Sequence, residues 1–206
     1  MHVVRFRLAD DAADEITGLR ARLVVAGLPV PVGRPAVTVA AAQTIPVATR
    51  TALATAVRVL ALPTLWLTDL AAVAGRDEEL VLGAVVDTEL LAVHDAVHDV
   101  LAGRVRGPVA TYLPGSWVPH CVLATRDPDA AFTALHPLRP LRAAVTALEV
   151  ADTRTGETIA LCGAAPPDCR RVRPGRGAEP SSPGNLRSRY GRLPRRRAPD
   201  GRSRAG

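Results

Sequence analysis

The same order of elements is written twice along this chain, and that doubling limits the fold more than any single motif does. A turn-prone stretch from Pro31 to Pro35 leads into the strand-like Pro35-Ala36-Val37-Thr38-Val39, followed by a helical segment and a pair of strands. A second turn-prone stretch, Pro114 to Pro119, leads into Pro119-His120-Cys121-Val122-Leu123, again followed by a helical segment and a strand pair. The two strands form a near-match. The first carries a Thr but no His, and the second carries a His with Val in the place where a Thr would balance it.

The periodicities give the elements. Residues 3 to 8 alternate, with Val4, Phe6 and Leu8 against Val3, Arg5 and Arg7, as a half-buried strand does. Residues 10 to 26 predict a helix: Asp10, Asp11 and Asp14 cluster at its positive end, Ile16, Leu19 and Leu23 make an apolar stripe, and Gly27 stops it. Residues 36 to 42 read as a strand and 46 to 60 as a helix with Pro46 in its first turn. Residues 64 to 73 and 79 to 86 make a hairpin around 74 to 78. The clearest helix covers 88 to 102, capped by Asp87 and burying Leu90, Val93, Val97, Val100 and Leu101. A Gly- and Pro-rich loop from 103 to 117 precedes a strand over 120 to 125 and a short helix over 128 to 136. A last hairpin, 141 to 152 with 157 to 162, turns at Thr153-Arg154-Thr155-Gly156. Strand pairs interleaved with single helices predict an α+β fold with largely antiparallel pairing.

Composition splits the chain in two. Residues 164 to 206 hold 12 Arg against 3 acidic residues and almost no apolar ones, whereas residues 1 to 163 hold 14 Arg against 17 acidic residues. A folded domain over 1–163 and a disordered Arg/Pro/Gly-rich basic tail over 164–206 are therefore expected, since the latter cannot build a core. The net charge of +6 resides in that tail, so it does not mark the folded surface as basic. A salt-sensitive contact of the tail with RNA or acidic surfaces is one expectation; a solvated extension is the other. Three Cys residues, Cys121, Cys162 and Cys169, are too few and odd in number for a disulfide framework. The N-terminus lacks the basic-then-apolar pattern of a secretory signal, and no apolar run approaches membrane-spanning length. A cytoplasmic, soluble monomer is expected.

The triplets Ala36-Val37-Thr38 and His120-Cys121-Val122, with the approach Trp117-Val118-Pro119 and the closing hairpin around residues 147 to 157, resemble the 2H phosphoesterase superfamily. This group includes bacterial 2'-5' RNA ligases and cyclic phosphodiesterases. The resemblance covers residues 1 to 163. It implies two pseudo-symmetric lobes around a central cleft, each contributing a His-x-Thr/Ser strand, and it implies no cofactor. Positions i and i+2 of a strand point the same way, so such a His and Thr both face the cleft. Two imidazoles divide the proton transfers of opening a 2',3'-cyclic phosphate, and the hydroxyls donate to its oxygens.

Two positions depart from this pattern. Ala36 transfers no proton, and Val122 donates no hydrogen bond. His120 and Thr38 remain as the catalytic pair the resemblance implies. A weakened or inactive member that acts on or binds RNA ends, 2',3'-cyclic or 2'-5' phosphates is expected, with a non-catalytic nucleotide- or RNA-binding module or a fold-retaining interaction module as alternatives. Arg5, sharing a strand face with Arg7, is a candidate phosphate contact, and Tyr112 and Trp117 are candidate stacking platforms for a base. Cys121 should face away from His120, which excludes a Cys-His nucleophile. His94 and His98 lie four apart on a helix, but Asp95 stands where a zinc protease needs Glu and no third ligand is evident, so a solvated polar face is expected rather than a metal site.

Overall fold

The computed structural model describes residues 1–73 and 76–163. The basic segment from 164 onward, expected as a disordered tail, lies outside the described residues. The elements run β1 (His2–Leu8), α1 (Asp10–Val25), β2 (Ala36–Thr44), α2 (Val47–Val57), β3 (Thr64–Val73), β4 (Arg76–Ala84), α3 (Thr88–Leu101), β5 (Arg106–Pro108), β6 (His120–Ala124), α4 (Pro128–Leu135), β7 (Leu141–Asp152) and β8 (Thr158–Gly163). A single 3-10 turn covers Ala110–Tyr112. Every element read from periodicity is present. The loop before the second motif holds more order than its Gly and Pro content suggests, because β5 adds to the edge of β2 through Ala42 and Thr44.

All the described strand pairs are antiparallel, in the order β5-β2-β1-β7-β3-β4-β6, with β8 also on β7. The long β7 is shared by both lobes. Its first residues, 141–144, pair with β3, and its remainder pairs with β1 on one edge and β8 on the other. One lobe is thus β5-β2-β1-β7-β8, backed by α2 and α3; the other is β7-β3-β4-β6, backed by α1 and α4. β2 and β6 approach each other where the lobes meet.

Each lobe buries one face of its sheet. In the first, Val4, Phe6, Val37, Leu148 and Val150 lie inward with Leu53, Val93 and Val97 of the helices. In the second, Leu80, Leu82, Cys121 and Leu123 lie inward with Ile16, Leu23, Ala131 and Leu135. The opposite faces are left open. Local chemistry fixes the helix starts: Asp87 accepts from the Leu90 amide (2.8 Å), and Asp127, at φ 54°, accepts from the Ala130 amide with Pro128 opening α4. Both carboxylates also sit at positive helix ends.

Candidate active site

The period of two on β2 and β6 decides which side chains reach the cleft. Val37 and Val39 are buried while Ala36 and Thr38 are half-exposed; Cys121 and Leu123 are buried while His120 and Val122 are half-exposed. Each motif strand therefore presents its first and third residue to the open face. Cys121 points into the core, on the other side of the strand from His120, as alternation requires. Burial raises its thiol pKa, partly opposed by the Arg20 guanidinium and by the Ala36 amide that faces the sulfur. An inert, protonated thiol results.

Antiparallel register sets the neighbours on the open face of the first lobe. Thr38 lies opposite Arg5, and Ala36 lies opposite Arg7. Arg5 in turn lies opposite Glu149 on β7. Side chains directly opposite in a pair share a face, so Arg5, Arg7, Glu149, Thr38 and Ala36 form one patch. Glu149 ties both guanidiniums, at 3.3 Å to Arg5 Nε and 3.9 Å to Arg7 Nη1, and Arg5 also donates to the Thr158 hydroxyl at 3.3 Å. Two cations against one carboxylate leave the patch positive. A bulge between Val4 and Arg5 brings this pairing about, since it shifts the β1–β2 register by one residue.

The second lobe's open face differs in character. His120 lies opposite Gly83 and Val122 opposite Val81, and next along β3 stand Asp69 and Ala71. A cavity of about 400 Å³ opens there, lined by strand residues including Ala71, Val81 and Gly83, by Tyr112 and Val118 of the loop, and by His120. Among the described residues that line it, none carries a charged side chain except His120 when protonated. His120 donates from Nδ1 to the Val118 carbonyl at 2.7 Å. A carbonyl only accepts, so the neutral ring carries its lone pair on Nε2.

The loop before β6 bridges the lobes. The Trp117 indole donates to the Thr38 carbonyl at 2.9 Å, and the Val109 amide donates to the Ala41 carbonyl at 2.9 Å. Trp117 stacks on the His94 ring, centroids 4.1 Å apart at 7°, and it does not line the cavity. Of the two aromatic residues expected in contact with a base, the structure brings Tyr112 to the cavity and turns Trp117 into the anchor of the loop. The expected solvated face of α3 is corrected at His94. His94 is 1% exposed, donates from Nε2 to the Tyr112 carbonyl at 2.9 Å, and packs beneath the loop; His98 is half-buried. A helix flanked by both a sheet and a folded-back loop buries a wider arc than its apolar stripe alone indicates.

Sequence reasoning passed over Arg20. It sits in the buried arc of α1, 8% exposed, with Nη2 and Nε donating to the Val122 carbonyl (2.7 and 3.2 Å) and Nη1 to the Gly33 carbonyl (3.0 Å). One guanidinium thus holds both the second motif strand and the turn that leads into the first. The charge sign alone gave no signal of it. Its place between Ile16 and Leu23 on the apolar side of α1 did. Among the described residues no cluster of His, Cys, Asp and Glu is arranged to hold a metal, and no helix is long and apolar enough to cross a membrane.

No family model matches the chain, and no curated protein matches it. Solved structures do. E. coli LigT complexed with 3'-AMP aligns at TM-score 0.53 and 16% identity, over 77% of this chain and 91% of that one. LigT complexed with NADP+ aligns at 0.52 and 18%, over 77% and 92%. A protein described as a phosphoesterase aligns at 0.53 and 21%, over 77% and 92%. The expected α+β architecture is borne out, and the 2H phosphoesterase resemblance holds at the level of the fold.

Proposed function

We propose that this chain, with its 2H phosphoesterase-like fold, binds a phosphorylated nucleotide or RNA end in the cleft and turns it over slowly or not at all. The phosphate rests on the first lobe, against Arg5, Arg7 and the Thr38 hydroxyl. The uncharged body of the ligand enters the cavity beside Tyr112, with His120 at the boundary between the two. The observation that carries this reading is the register that sets Arg5 opposite Thr38 and Arg7 opposite Ala36. Where a second imidazole is missing, the neighbouring strand supplies a guanidinium. Guanidinium binds phosphate well but stays protonated, so it replaces the anchoring role and not the proton transfer.

His120 keeps one acid–base function, with Nε2 as the acceptor of the neutral ring. Loss of its partner costs roughly 10²- to 10⁴-fold in rate, and loss of a hydrogen-bond donor at Val122 about a further 10². The decisive experiment pairs calorimetric binding of 3'-phosphorylated and 2',3'-cyclic nucleotides with turnover of the cyclic ones, for the full chain, His120→Ala and Ala36→His. Binding without wild-type turnover, with turnover gained in Ala36→His, supports the reading. Rapid wild-type turnover abolished in His120→Ala would show a working enzyme with another second group. Absence of both binding and turnover throughout would favour an interaction module that keeps only the fold.

A further inference from the structure

We infer that His94 and His98 act as a proton-sensitive stitch, holding the loop over the cleft to β2 at neutral pH and releasing that loop when both rings are charged. The two rings lie 4.4 Å apart, centroid to centroid, on successive turns of α3. Each spends one N–H on a carbonyl of a different wall of the cleft. His94 donates to Tyr112 of the loop at 2.9 Å, and His98 donates to Val39 of β2 at 3.3 Å. Trp117 closes the ring of contacts by stacking on His94 and donating to the carbonyl of Thr38. Neutral rings satisfy every one of these bonds, since each needs a single N–H on Nε2.

A single added charge on the pair has compensating neighbours. The Asp95 carboxylate lies 3.7 Å from His94 Nδ1, and the indole face of Trp117 covers the same ring. A second charge, on His98, is disfavoured: Asp95 and the Val39 and Tyr112 carbonyls favour it, but burial and the neighbouring His94 outweigh them. β2 carries no ionisable side chain, the 110–112 turn offers only the Tyr112 phenol, and the one cation of α2, Arg50, is turned away to His2 at 2.8 Å. Asp99, the other acid at this end of α3, is exposed. Two imidazolium rings at this separation therefore repel inside a packed junction, where screening is weak. The cheapest relief is to swing out the loop, because α3 and β2 are both held by core side chains while residues 110–117 are held by these rings and the Trp117–Thr38 bond. His98 shows the same balance: burial lowers its pKa below the ordinary 6.5, and the nearby His94 lowers it further. His98 consequently takes up its proton at lower pH in the folded cluster than in the open one. Its contribution is whole above about pH 6.5 and is lost as pH falls below that.

Hydrogen exchange tests this without any ligand, so its outcome is separate from that of the binding reading. The amides of Val109, Tyr112, Leu113 and Ser116 are all hydrogen-bonded within or beneath the loop. In the full chain, after correction for the intrinsic pH dependence of exchange, their protection should fall several-fold between neutrality and pH ~5. Amides of α1 should hold theirs. His98→Gln keeps a donor toward Val39 and removes the second charge, so most of the fall should disappear. His94→Gln should act likewise. Should that buried variant fail to fold, the half-buried His98→Gln and the wild-type titration decide alone. Loop protection that stays flat in the wild type, or that falls equally in His98→Gln, would overturn the proposal.

Discussion

The indole N–H of Trp117 and the carbonyl of Thr38 meet at 2.9 Å, so a side chain three residues before His120 is fastened to the backbone of the opposite motif strand. The bond ties the two halves of the cleft together. Trp117→Phe retains the stack on His94 and leaves the Thr38 carbonyl without this donor, and a loss of about 1 kcal/mol is expected. Trp117→Ala also removes the stack, and about 3 kcal/mol is expected. Urea denaturation of both variants checks the order. Equal losses would mean that the ring's packing contributes nothing.

Arg20 makes a stronger claim on the same junction. Its guanidinium reaches the Val122 and Gly33 carbonyls from behind the sheet, and no carboxylate pairs with it among the described ion pairs. Arg20→Met should cost about 3 kcal/mol by stranding buried carbonyls that accepted charge-assisted bonds. Arg20→Lys should recover less than half of that, because one ammonium does not reproduce a fork that spans two carbonyls. Denaturation midpoints at constant slope provide the measurement.

Much of this arrangement was legible in the sequence, and the parts that were not share one cause. The motif strands, the inward Cys121 and the cap at Asp87 follow from local periodicity and turn chemistry, and the structure shows all three. The partners of Arg5 do not follow. They depend on a bulge between Val4 and Arg5 and on β7 passing beside β1 from more than a hundred residues away. His94 misled for a related reason: a polar residue beside an apolar stripe reads as solvated until a loop is known to fold over it. The three residues of β5 had too little pattern of their own, and the edge of β2 makes them a strand. Contacts made by register and by loop return are non-local, and a single sequence holds them only indirectly.

The buried thiol gives a prediction about reactivity. With Cys162 and Cys169 replaced by Ser, native protein at about pH 8 should react with a disulfide reagent far more slowly than an exposed thiol, because burial raises the Cys121 pKa and denies access. Unfolding in urea should expose one fast-reacting thiol. The linkage has a definite sign. A thiol held protonated by the fold contributes stability that is present below its ordinary value of 9.0 and lost as pH rises above it. Fast labelling of the native protein would show that Cys121 is reached without unfolding.

Glu149 should set the strength of the proposed anion site. It is 8% exposed and lies between the two guanidiniums, so it competes with a phosphate for both of them. Glu149→Gln removes that competitor and raises the formal charge of the Arg5–Arg7 patch by one. Affinity for a 3'-phosphorylated nucleotide should rise by roughly threefold to tenfold at low ionic strength, with a steeper decline as salt is added. Arg7→Gln in the wild-type background should act in the opposite direction, and Arg5→Gln should lose still more, because Arg5 stands opposite the one retained hydroxyl at Thr38. Calorimetry at low and high salt separates these effects from a change in fold. Should Glu149→Gln weaken binding instead, Glu149 would act mainly to orient the guanidiniums, since a carboxylate that only competed for them could not strengthen the site.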